Sequence, residues 1–162
     1  MKRLAIQDFV NPKGAVVLRS YDADGNSCGH YENRNLVVIT GRTVMAQLLG
    51  GLTTQRPKFI GMGNGAEYAQ AVDLDPRAAD DNDEGRGTKL VRVEPITSIT
   101  QPSPTSVAFF ATFYRDHVNA KVNELRLLTD NDTLVARITF REQDLTLGSI
   151  TARVDALWEI HY

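Results

Sequence analysis

Cys28 and His30 stand two residues apart, a spacing that puts both side chains on one face of a strand. A thiol beside an imidazole is raw material for nucleophilic catalysis. The dyad also needs its base held within reach of the sulfur, which spacing alone does not supply, so the plain reading of Cys28 is a small strand residue. The other histidines, His117 and His161, are remote from it and from each other. None of the three shows the i, i+4 spacing of a zinc-protease pair, and no Gly-x-Ser-x-Gly elbow accompanies them. Glu124 and Glu159 are carboxylates that could do glycosidase chemistry if held about 5–9 Å apart. Surface ion pairs with Arg126, Arg137 or Arg153 are the simpler account.

Three further segments invite a ligand. Gly61-Met62-Gly63-Asn64-Gly65 looks like a phosphate cradle, but Ala66-Glu67-Tyr68 follows, which fits neither a dinucleotide fingerprint nor a P-loop. A strand whose glycines permit close backbone approach or a bulge explains it as well. Asp22-Ala23-Asp24-Gly25-Asn26 resembles the start of a calcium loop, yet its sixth and twelfth positions hold Ser27 and Asn33 instead of glycine and glutamate. A hairpin turn is the better reading. Asp80-Asp81-Asn82-Asp83-Glu84 packs carboxylates closely. It reads as a solvated loop, as a contact for a basic partner surface through Asp80, Asp81, Asp83 and Glu84, or as a weak cation site. Trp158 falls on an apolar strand face and is expected in the core. Arg137, Arg141 and Arg153 would form an exposed basic face, but without interleaved aromatics it is a poor nucleic-acid surface.

Strands must carry these residues. Residues 105–114 alternate with apolar side chains on both faces, predicting a central strand covered on both sides. Residues 122–128 and 134–141 flank the turn cluster Asp130-Asn131-Asp132 and predict a hairpin. Residues 150–162 keep a period of two, with Ile150, Ala152, Val154, Ala156, Trp158 and Ile160 on one face. In the first half, residues 15–21 turn at Asp24-Gly25, a favoured two-residue hairpin, and return through 27–31 toward Ile39. Thr40 is the expected N-cap of a helix at 41–49, ended by Gly50-Gly51. Short strands follow at 58–60 and 89–93. Residues 66–87 form one long irregular acidic loop, and Pro95, Pro102 and Pro104 punctuate the link to the central strand. Seven or eight strands and one short helix predict an all-β antiparallel sandwich, with a jelly roll as a variant.

The composition bounds the function. A chain of 162 residues fits a single domain, 1–162. Eighteen basic against twenty acidic residues give a net charge of −2, which argues against nucleic-acid or membrane-surface binding as the main task. No apolar run approaches the roughly 20 residues that span a bilayer, and Met1–Asp8 meets an acid before a signal-type stretch forms. One cysteine excludes an internal disulfide and a multi-cysteine zinc site, and fits a soluble protein kept in a reducing compartment. Neither cofactor nor metal is expected.

The order of features is also informative. Asn35-Leu36-Val37-Val38-Ile39-Thr40-Gly41-Arg42 runs into a helix, and Phe59-Ile60-Gly61-Met62-Gly63-Asn64-Gly65 leads into the acidic loop. Val122–Leu128 and Leu134–Phe140 follow, and the chain closes on Leu157-Trp158-Glu159-Ile160-His161-Tyr162. From about residue 35 onward this resembles small structural proteins of tailed bacteriophages, those of the neck, tail, baseplate or capsid surface. The resemblance implies a non-enzymatic virion protein made in the bacterial host cytoplasm. Its implied partners are other virion structural proteins and further copies of itself. Assembly at the neck, collar or tail is the first expectation, and capsid decoration the alternative. A carbohydrate-binding sandwich is a rival of another class, for which the scattered Tyr21, Tyr31, Tyr68 and Tyr114 give little support. A glycosidase using Glu124 or Glu159 ranks last.

Overall fold

The computed structural model describes residues 12–64 and 89–162. Nine strands and two helices lie among them. β1 (Lys13–Tyr21) and β2 (Ser27–Val37) form a hairpin, followed by α1 (Ile39–Leu49) and β3 (Pro57–Asn64). β4 (Lys89–Pro95), β5 (Ser98–Ser103) and β6 (Ser106–Tyr114) lead to the single turn α2 (Arg115–Val118). β7 (Lys121–Thr129), β8 (Leu134–Asp144) and β9 (Arg153–His161) complete the chain.

The strand order is β4-β3-β7-β8-β2-β1-β9-β6-β5, antiparallel throughout. It folds into two sheets because two stretches of chain serve both. β2 pairs with β1 through residues 27–35 and then with β8 through Leu36 and Val37. At the other side, the Ile96 amide bonds Lys58 in the second sheet while the Thr97 amide bonds Phe110 in the first. These two corners let the inner faces stack into an all-β sandwich, as strands that switch sheets do. Alternation along each strand then fixes the core. Val16 and Leu18, Phe109, Ala111 and Phe113, and Trp158 and Ile160 point inward from the first sheet. They meet Ile60, Met62, Leu125, Leu127, Ala136 and Ile138 from the second. Each fully buried large apolar side chain contributes about 1.5–3 kcal/mol relative to exposure.

Several local expectations change. β5 was not expected, because Pro102 and two flanking prolines read as breakers. It is an exposed edge strand, where a missing N–H costs no ladder bond. β6 is covered unevenly on its outer face: Ser106 and Ala108 are buried there, Phe110 and Thr112 half-buried, and Tyr114 exposed. α1 begins at Ile39 with Val38 at its N-cap and no side-chain cap. Thr40 instead donates its hydroxyl to the Leu134 carbonyl (2.7 Å), tying the helix to β8. The left-handed residue after the helix is Gly51 (φ 65°), while Gly50 stays right-handed. The β1–β2 turn spans residues 22–26 and not two, because the Asp22 carboxylate accepts the amides of Asp24 (3.0 Å) and Asn26 (2.8 Å). β9 starts at Arg153, which leaves Ile150 outside the strand and 77% exposed.

Candidate functional site

The β7–β8 hairpin brings the candidate charged residues together. Leu125 and Leu127 enter the core, so Glu124 and Arg126 must face the opposite side of the second sheet. Arg137 on β8 stands directly across from Arg126. Glu124 Oε1 accepts hydrogen bonds from Arg126 Nε and from Arg137 Nε (3.0 Å), and Oε2 accepts from Arg137 Nη2 (3.3 Å). This cluster is buried: Glu124, Arg126 and Arg137 are 0%, 1% and 7% exposed. The expected surface ion pairs are therefore interior ones, and Arg137 does not belong to an exposed basic face. Arg153 is likewise half-buried, its guanidinium over the Tyr21 ring (4.3 Å) and beside Asp155 (3.3 Å). Arg141 is exposed as expected.

β3 runs beside this cluster. Gly61 pairs with Arg126 and Gly63 with Glu124. A Cβ added to Gly61 would lie 2.8 Å from Leu90 Cδ2 and 3.5 Å from Leu128 Cδ1. The β3–β4 register also shifts between Met62 and Gly63. The glycine run is thus a close-approach and bulge segment, in which Gly61 packs against Leu90, Leu128 and Val93. Both Glu124 oxygens accept hydrogen bonds inside the protein, so the carboxylate bridges β7 and β8.

The remaining candidates stay apart. Glu159 alternates with the core residues Trp158 and Ile160, so it faces outward from the first sheet, with the whole core between it and Glu124. The two-carboxylate arrangement is not assembled. The three histidines lie on three different elements, each beside a carboxylate: His30 with Glu32 (3.7 Å), His117 with Glu94 (3.6 Å) and His161 with Glu159 (3.5 Å). Cys28 is exposed, with its sulfur 3.9 Å from the Thr151 hydroxyl. Glu94 was not singled out in the sequence. It also pairs with Arg92 (2.6 Å) and so links α2 to β4 across the two sheets. Trp158 is fully buried as expected, its indole N–H without a hydrogen-bond partner. Among the described residues no group of three His, Cys, Asp or Glu side chains could hold a metal ion. Asp80, Asp81, Asp83 and Glu84 lie outside the described residues.

What the surface does offer is two apolar ends. Tyr114, Leu147 and Ile150 are 48%, 58% and 77% exposed. The Arg115 amide bonds the Ala152 carbonyl, the Ala152 amide bonds Tyr21, and the Leu147 amide bonds Asn119 Oδ1. These bonds gather residues 115–120 and 145–152 at one end, beside the 22–26 turn. Two carboxyls here are held below the usual carboxylate range. Asp22 is lowered chiefly by the Asn26 amide and side chain, and Asp144 by the Thr146 hydroxyl and amide. The opposite end of the β7–β8 hairpin carries α1. The Val38 amide bonds Val135, Gly41 packs on the Val135 backbone, and Pro57 pairs with Thr129 beyond the helix. Leu49 and Leu52 project there, 87% and 81% exposed. Sequence reasoning missed both ends because it placed Ile150 in a strand and Leu49 on an amphipathic face. Only Leu52, unpatterned after two glycines, was a visible signal.

Compared with known proteins, the chain matches no family model, and neither a curated protein nor a solved structure is significantly similar to it.

Proposed function

We propose that this chain is a non-enzymatic structural protein of a tailed-bacteriophage virion, built in at the neck, collar or tail by protein–protein contacts. The observation that supports an assembly role is the distribution of side chains. The charged residues best placed for chemistry are consumed in a buried ion cluster, whereas the four most exposed large apolar side chains, Leu49, Leu52, Leu147 and Ile150, stand at two ends. Exposed apolar groups concentrated in this way mark interaction surfaces. The particle and its partners, other virion structural proteins and further copies of the chain, come from the resemblance of the motif order. The acidic stretch Asp80, Asp81, Asp83 and Glu84 is the proposed contact for a basic partner surface. It belongs to the connection between Asn64 and Lys89, which pair at the loop end of the second sheet.

Immunogold electron microscopy of particles from the source tests the reading. Label at the neck, collar or tail supports it. Label on the head moves the protein to capsid decoration. Unlabelled particles, with the protein free in the lysate and its epitope accessible, overturn the virion assignment.

A further inference from the structure

We infer that the chain associates with copies of itself head to tail, the Leu49–Leu52 end of one copy seating on the Tyr114–Leu147–Ile150 end of the next. The two patches lie at opposite ends of the β7–β8 hairpin, so one molecule cannot close them on each other. They are also of opposite charge. Arg56 and Lys58 follow Leu52 closely, both exposed, and Arg42 lies on α1 itself. No carboxylate occurs between Glu32 and Glu67 in the sequence. Asp130 and Asp132 of the β7–β8 turn temper this positive end without reversing it. The other end carries Asp22, Asp24, Asp116, Glu142, Asp144 and Asp155 against Arg19, Arg115, Lys121, Arg141 and Arg153, a small excess of acid.

A two-fold pair would set like ends together, bases against bases and acids against acids. A heterologous contact sets each apolar patch on the other with complementary charge around it. Each patch offers two or three large exposed side chains, a modest contact beside the roughly 1,200–2,000 Å² of a standard interface. Closing a ring would hold each copy by two such contacts. The inference deepens the assembly reading by naming the partner of these surfaces. It stands or falls with the pure protein, independently of where immunogold label appears on particles.

The test uses the full chain and two variants, Leu49→Glu/Leu52→Glu and Leu147→Glu/Ile150→Glu. All four positions are exposed, so both variants should fold, checked by circular dichroism. Analytical ultracentrifugation over the soluble concentration range should show the wild type growing beyond a dimer. Each variant alone should lose association about thirty-fold or more. Mixed together, the variants should form a one-to-one dimer and nothing larger, since each retains one intact end. A wild type that stays monomeric, variants that assemble as the wild type does, or a mixture that yields no dimer would overturn the inference.

Discussion

Replacing Glu124 by Gln keeps the shape of the side chain and removes the charge that two guanidinium groups share. Glu124 is fully buried, Arg126 and Arg137 nearly so, and both carboxylate oxygens accept hydrogen bonds. The amide retains one acceptor and turns an NH₂ donor toward guanidinium donors. Breaking a buried ion pair from one side costs about 3–5 kcal/mol, because the remaining charge keeps its desolvation penalty. Arg126 and Arg137 make further interactions, which places the expected loss near ~3 kcal/mol. In a domain of this length that lowers Tm by about 6–12 °C. Urea unfolding followed by circular dichroism gives the free energy. Glu142→Gln is the internal control: its pair with Lys121 spans 3.5 Å with both side chains more than half exposed, and should change stability by less than about 1 kcal/mol. If Glu124→Gln costs no more than Glu142→Gln, the carboxylate is not desolvated and the account of the cluster fails.

Three other outcomes follow from the same coordinates. Gly41→Ala should destabilise by at least about 1–3 kcal/mol, since its Cβ would fall 1.9 Å from the Val135 carbonyl oxygen, while Gly148→Ala, with open space around it, should be neutral or stabilise by up to about 1 kcal/mol; equal melting temperatures would contradict the packing of α1 on β8. The Asp22 carboxyl should titrate below 3.8 by NMR, and Asn26→Ala should bring it part of the way back. Because its folded value is the lower one, Asp22 stabilises the turn above pH 3.8 and loses that effect as pH falls through the folded value; a midpoint at or above 3.8 would remove the turn from the account. Deleting residues 78–85 should leave the melting temperature of the sandwich within a few degrees and abolish incorporation into particles, whereas normal incorporation would exclude the acidic stretch as a contact.

The strands were legible where one face meets the core and the other meets water. Residues 153–161 alternate for that reason, and their period of two survives into the structure, whereas residues 134–138 are buried on both faces. Reading failed where a polar side chain is buried. Glu124, Arg126 and Arg137 look like the wet face of a hairpin, because alternation reports which face a residue takes and not what covers that face. Their burial depends on neighbours in other strands: Gly61 of β3 pairs with Arg126 and Gly63 with Glu124, which no pattern within a single strand reveals. Ile150 failed for the converse reason: it continues the apolar alternation of the last strand into the preceding loop, where it is exposed and not part of the core. Both errors have one origin. Periodicity encodes contacts within an element, whereas the ion cluster and the exposure of the two apolar ends depend on how the elements pack against one another.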